Sequence, residues 1–173
     1  MKRSVMRKGA SMKKVNPEHV ERVIEMANKS PFLNHMGIRM EEMRDGYARS
    51  VMPVGNLLNA FGGIHGGAYA ALLDNVTYWA LYCSVEEGMG YTTIDLTVSD
   101  LRSTKAGTVV CEGRVIKHGR TISLTEAEVR DESGRLLAHA TSKLFASPTI
   151  QPISAAVEAT GSDPLPPKFI EVD

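Results

Sequence analysis

The chain predicts an α+β layer architecture, one long buried helix wrapped by an antiparallel sheet that mostly follows it. Two observations predict it. From about His65 or Gly66 to Val85 the sequence is apolar on nearly every side, through Ala68, Ala70, Ala71, Leu72, Leu73, Val76, Tyr78, Trp79, Ala80 and Leu81. A helix that is apolar all round is a buried one. The other regular stretches are mostly strand-like, so sheet is the material left to wrap it. A length of 173 residues suits one domain with a real core.

The elements follow in order. Residues 1–15 read as a disordered basic tail. Asn16-Pro17-Glu18 starts a helix, with Asn as cap, Pro in the first helical position and an acid in the first turn. Val20, Val23, Ile24, Met26 and Ala27 give it an apolar stripe, and it should stop at Ser30, before Pro31. Phe32–His35 reads as a connector. Residues 36–44 and 47–54 read as strands around the hairpin signal Asp45-Gly46. After the central helix, residues 91–103 alternate, with Ile94, Leu96 and Val98 on one face and Thr93, Asp95, Thr97 and Ser99 on the other. Three more strands follow, at 108–117, 120–130 and 136–146, separated by turns at His118-Gly119 and Glu132-Ser133-Gly134. The domain proper is therefore 16–146. Residues 147–173, with five prolines among small and polar residues, read as a tail that is mobile or packs on the surface.

Charge is balanced, with 20 Lys and Arg against 20 Asp and Glu, so bulk attraction to nucleic acid or an acidic membrane is not indicated. No apolar run approaches a membrane span. Cys83 and Cys111 form no CxxC pattern and read as buried free thiols, which fits a reducing, cytoplasmic compartment. The basic start lacks an apolar region behind it, against a secretory signal.

One carboxylate, Asp74, sits inside the apolar helix. Burying an ionised carboxylate costs several kcal/mol or forces it to take up a proton. It is either a nucleophile or general base in a dry pocket, or a capped Asp at a subunit contact; the apolarity of the helix favours the first. Gly62, Gly63, Gly66 and Gly67 bare the backbone around the start of the same helix, where N–H groups lack intrahelical partners. They allow an oxyanion or anion site, or a loop that packs tightly under the sheet. His65 has no second ligand at metal spacing, so it reads as a residue that orders the loop. Thr92 and Thr93 serve β propensity or hold a water beside Asp74. Lys117-His118-Gly119-Arg120 is a solvated hairpin tip or a polyphosphate contact.

Asn59-Ala-Phe-Gly-Gly-Ile-His-Gly-Gly followed by Leu72-Leu73-Asp74-Asn75 resembles the hotdog-fold acyl-CoA thioesterases. The similar group is the phenylacetate-degradation (PaaI-like) type within the 4-hydroxybenzoyl-CoA thioesterase superfamily. Asn59 precedes His65 by six residues and Asp74 follows it by nine, as in that pattern, and the resemblance spans about residues 31–146. It implies a hotdog fold, a homodimer with a continuous sheet that pairs into a tetramer, and active sites at the subunit interface. It implies a hydrolase of small, medium-chain or aromatic acyl-CoA thioesters that needs no metal or other cofactor. By position, Gly66 N–H polarises the thioester carbonyl, Asn59 assists there, and His65 orders the loop. Asp74 of the partner activates water or attacks directly. Thr93, or Thr92, holds the water. Gly67 stands with the substrate-binding residues, and Lys117, Gly119 and Arg120 lie near the CoA. Tyr69, Tyr78 and Trp79 are bulky beside an acyl pocket and favour a small or aromatic acyl group.

The rival expectations are a hotdog enoyl-CoA hydratase or dehydratase, and a non-catalytic acyl-CoA-sensing module. The first typically carries a Pro-Gly or Pro-Ile turn before its His, where this chain has Gly-Gly-Ile. Asp74 and Gly66 also stand about 12 Å apart along the helix axis, at ~1.5 Å per residue. Two groups so placed on one helix cannot touch the same carbonyl carbon, which calls for a second, antiparallel helix.

Overall fold

The computed structural model describes residues 12–172. In chain order its elements are strand β1 (Met12–Val15), helices α1 (Pro17–Ala27) and α2 (Pro31–Met36), strands β2 (Arg39–Arg44) and β3 (Tyr47–Pro53), and helix α3 (Gly66–Tyr82). Strands β4 (Gly90–Asp100), β5 (Thr108–Lys117), β6 (Ile122–Arg130) and β7 (Leu136–Ser147) follow. A 3-10 turn (Ile153–Ala155), helix α4 (Ala156–Ala159) and strand β8 (Phe169–Val172) complete the chain.

Helix α3 lies against a six-stranded sheet of order β2-β3-β5-β6-β7-β4, in which every neighbouring pair is antiparallel. This is the expected α+β architecture, a central helix wrapped by antiparallel sheet. Leu72, Leu73, Val76, Ala80 and Leu81 are fully buried under it. The sheet comes close because Gly113, in the middle of β5, has no side chain. A Cβ there would stand 2.8 Å from Val76 Cγ1 and 3.2 Å from the Val76 carbonyl oxygen. After its first residue, the half-buried or exposed positions of α3 fall at Gly67, Ala70, Ala71, Asp74, Asn75 and Tyr78. At helical spacing these form one stripe, the face that its own sheet leaves open.

Local chemistry explains the ends of the elements. Asn16 caps α1 by accepting from Glu18 N–H at 3.1 Å. The helix ends at Ala27, short of Ser30. Asn28 instead uses its side chain to pair with the backbone of Met40 in β2, donating to the carbonyl at 3.0 Å and accepting from the N–H at 2.9 Å. The connector expected at Phe32–His35 is the helix α2. Pro31, the stop for α1, is also the first residue of α2. Gly37 ends it in the left-handed region at φ 69°, donating to the carbonyls of Asn34 and Leu33.

Strand β4 departs from the simple alternation. A bulge between Thr93 and Asp95 turns Ile94 outward, where it is 54% exposed, while Leu96 and Val98 stay half-buried. One further correction concerns the N-terminus, and the C-terminal stretch takes the packed form of its two expected ones. Residues 12–15, expected within a disordered tail, are strand β1, which pairs antiparallel with β8; residues 1–11 lie outside the described residues. The stretch after Ser147 folds back over the domain. The anchor is Lys168, 3% exposed, whose Nζ donates to the Tyr82 carbonyl at 2.6 Å and to the Val85 carbonyl. These carbonyls lie at and just beyond the C-terminal end of α3, where a cation is favoured. His19, 4% exposed, joins the same anchor. Its Nδ1 donates to the Pro166 carbonyl at 2.6 Å, so Nε2 accepts from the Tyr82 hydroxyl at 2.5 Å.

Candidate active site

The residues singled out in the sequence fall into two half-sites at different points of α3. The first is at its N-terminus. Asn59 holds the preceding loop: its side-chain oxygen accepts from Phe61 N–H at 2.8 Å and Gly63 N–H at 3.4 Å, and its amide donates to the Ile64 carbonyl at 3.4 Å. His65 is the N-cap of α3, and its Nδ1 accepts from Gly67 N–H at 2.9 Å. That bond engages Gly67. The Gly66 N–H has no hydrogen-bond partner among the described residues. It opens onto a cleft of about 340 Å³ lined by Asn59, Gly66, Tyr69, Asp100 and Arg102.

Asp100 is the residue of this half-site that sequence reasoning missed. A Cβ added at Gly66 would meet its Oδ2 at 2.5 Å. A carboxylate is favoured at the positive end of a helix. Only the fold brings it there: Asp100 is the last residue of β4, 34 positions away in sequence, and no local pattern links the two. Tyr69 lines the same cleft and donates to the Arg102 carbonyl at 3.3 Å. Burial first, and the Asp100 charge second, push its hydroxyl up to about 12.

The second half-site surrounds Asp74. Its Oδ1 is buried and makes no hydrogen bond among the described residues, and the same is true of Asn75 Oδ1. Thr77 approaches only the backbone, donating to the Leu73 and Asp74 carbonyls. No side chain caps Oδ1, as a purely structural Asp would require. Asp74 lines a cavity of about 620 Å³, with Ala71, Asn75, Tyr78 and Trp79 from α3. Met26 and Leu33 close it from the N-terminal helices, and Ile153 and Ala156 from the C-terminal segment. Burial, with the Asp74 charge adding to it, pushes the Tyr78 hydroxyl up to about 12. Asn75 follows Asp74 directly, with nothing in the sequence to assign it a role. Ile153 and Ala156 carried no signal, because their segment reads as a proline-containing tail.

Thr92 and Thr93 differ in where they face. Tyr91 is buried against α3 and Thr93, two residues on, shares its face, whereas Thr92 points outward and is exposed. Lys117, Gly119 and Arg120 sit at the β5–β6 hairpin tip, with Lys117 and Arg120 exposed. Gly119 N–H donates to Ser123 Oγ at 3.2 Å, which fixes the turn. Neighbouring His118 lines a cleft with Cys83 and Ser84, at the C-terminal end of α3. Within one protomer the basic tip and Gly66 therefore stand at opposite ends of the central helix.

The comparisons with known proteins agree with this geometry. The Thioesterase superfamily matches residues 61–138. The chain is 30% identical over 113 residues to the proofreading thioesterase EntH of Klebsiella pneumoniae, covering 65% of this chain and 82% of that protein. It is 33% identical over 82 residues to acyl-coenzyme A thioesterase 13 of Homo sapiens, covering 46% of this chain and 58% of that protein. The crystal structure of a thioesterase from Haemophilus influenzae superposes with a TM-score of 0.67 at 25% identity, covering 74% of this chain and 90% of that one. A helix wrapped in antiparallel sheet is the hotdog fold, and the thioesterase relatives make the chain a thioester hydrolase of that fold. The chain belongs to the thioesterase superfamily.

Proposed function

We propose that the protein hydrolyses acyl-CoA thioesters at a site completed by two protomers. The observation that carries this is the Asp74 carboxylate. Its Oδ1 is buried without a partner in a largely apolar cavity large enough for an acyl group. A buried acceptor left unmade is costly, on the order of 1–3 kcal/mol, and water beside a bound thioester would satisfy it.

The pairing follows from reach. Gly66 and Asp74 are eight residues apart on α3, about 12 Å along the axis. An antiparallel second copy of α3 brings the Asp74 cavity of one protomer to the Gly66 N–H of the other. It also carries the Lys117–Arg120 tip, at the far end of α3, to the side of the site on which the partner's Gly66 stands, where it would meet the CoA phosphates a pantetheine arm away from the carbonyl. Strand β4 supports such pairing. It is a sheet edge of 11 residues, with Ile94 54% and Leu101 just beyond it 49% exposed. A long edge strand presents unpaired backbone groups to which another strand can bond. The assembly proposed is a homodimer, paired again into a tetramer. The two buried free thiols, Cys83 and Cys111, fit a cytoplasmic setting.

The chemistry needs few groups, because a thioester carbonyl is already electrophilic. Asp74 takes a proton from water, held by Thr93, as the water oxygen bonds to the carbonyl carbon. The carbonyl oxygen gains negative charge against the Gly66 N–H at the positive end of the helix. Collapse breaks the carbon–sulfur bond, and the CoA thiolate leaves and is protonated. In the alternative route Asp74 itself attacks, giving an anhydride that water then opens. Asn59 and His65 hold the loop that aims Gly66, and Gly67 fixes the cap.

Purified Asp74→Asn tests the proposal in an assay of thiol release from a panel of acyl-CoAs. Turnover should fall by about 10²–10⁴-fold, the usual worth of a general base. Undiminished turnover would remove Asp74 from the mechanism.

A further inference from the structure

We infer that Ile153, in the C-terminal segment, is the wall that sets how long an acyl group the site accepts. The inference rests on reading the Asp74 cavity as the acyl pocket. A second cavity, of about 370 Å³, lies under the same segment, with His19, Tyr82, Met89, Leu165 and Lys168 among its lining. Ile153 lines both cavities. It is therefore the partition between the Asp74 pocket and a further space that an extended chain could enter.

The partition is held in place by backbone. Gly90, at the start of β4, is crossed so closely by the segment that a Cβ there would stand 2.1 Å from the Ile150 carbonyl oxygen and 2.8 Å from that of Gln151. Ala155 N–H then donates to the Pro152 carbonyl at 3.0 Å, closing the turn that carries Ile153. Farther on, Lys168 is buried and bonded to the end of α3. A wall pinned on both sides resists being pushed aside by a chain one or two carbons too long. The wall lies outside the part of the chain that matches the superfamily, residues 61–138. Acyl length is thus set here by a segment added to the shared catalytic frame.

The test is the chain-length profile of kcat/KM for straight-chain acyl-CoAs from four to sixteen carbons, measured for wild type, Ile153→Ala and Ile153→Trp. Ile153→Ala joins the two cavities and moves the optimum to longer chains. Each further methylene buried should gain about fourfold, the factor for burying a CH₂ group. Ile153→Trp moves it to shorter chains. If Ile153→Trp does not fold, Ile153→Ala decides alone. An unshifted optimum in Ile153→Ala overturns the role of Ile153 and leaves the thioesterase reading standing. Wild type inert toward every acyl-CoA would overturn the acyl-CoA reading, and this inference with it.

Discussion

Tyr78 on α3 and Tyr91 on β4 stack with ring centroids 4.3 Å apart, and the Tyr91 hydroxyl donates to the Tyr78 carbonyl at 3.2 Å. This contact sets the level of the strand against the helix. Moving from Tyr78 back to Asp74 covers about 6 Å at the helical rise. Moving from Tyr91 on to Thr93 covers about 6.6 Å at the strand rise. With β4 running back along α3 to bring Asp100 beside Gly66, this step carries inward-facing Thr93 along the helix in the direction of Asp74.

The two threonines should separate in kinetics. Thr93→Val removes the hydroxyl that would hold the water and should lower kcat by about tenfold, the loss expected of one orienting hydrogen bond. Thr92→Val, on the exposed face, should stay within about twofold. Equal effects of the two substitutions on thiol release would contradict the register.

Gly66→Pro isolates one N–H. Gly66 is the first residue of α3, the position where proline is tolerated. His65, at φ −74° and ψ 133°, already has the extended backbone that a following proline requires. The new ring would meet the tip of Asp100, an exposed side chain that can turn away. Circular dichroism should show the fold retained while kcat drops by about 10²–10³-fold, the worth of one oxyanion donor. Full activity would show that Gly66 N–H is not the donor.

Gly90→Ala tests how the C-terminal segment is held. The neighbours of the new methyl are the Ile150 and Gln151 backbone, which cannot rotate away. The segment should detach locally at a cost of about 1–3 kcal/mol, as for overpacking elsewhere. Limited proteolysis should then cut between residues 148 and 160 faster than in wild type. Unchanged cleavage would show that the segment does not depend on this crossing.

Lys168 gives the anchor a pH signature. Burial lowers its ammonium from the usual 10.5 to about 8, against the raising effect of Cys83, Glu87 and Glu86. Between these values the unfolded chain binds more protons than the folded one. Lys168 therefore makes stability rise as pH goes from about 8 to 10.5. Tm of wild type should gain on Tm of Lys168→Met across that window, and parallel curves would contradict it.

The central helix and the sheet were legible because their signals are periodic. All-round apolarity marks α3, and period-two runs with glycine turns mark the strands. Asp74 was legible as a charge out of place. What escaped was carried by single residues without a pattern. Pro31 serves two helices, so the sequence of α2 reads as a connector. The bulge that turns Ile94 outward follows from pairing with β7, which local alternation does not encode. Asp100 reaches Gly66 only because β4 ends beside the start of α3. The C-terminal segment is docked through Lys168, His19 and the absence of a side chain at Gly90, so its composition alone reads as a tail.

The central claim is that Asp74 of one protomer serves Gly66 of the other, and complementation tests it most directly. Asp74→Asn and Gly66→Pro are each prepared in inactive form, then mixed under conditions that exchange subunits. A mixed dimer holds one site with both groups intact, so random exchange should restore about a quarter of wild-type thiol release, by the symmetry of a two-fold interface. A mixture that exchanges subunits and stays inactive would contradict a site shared between protomers.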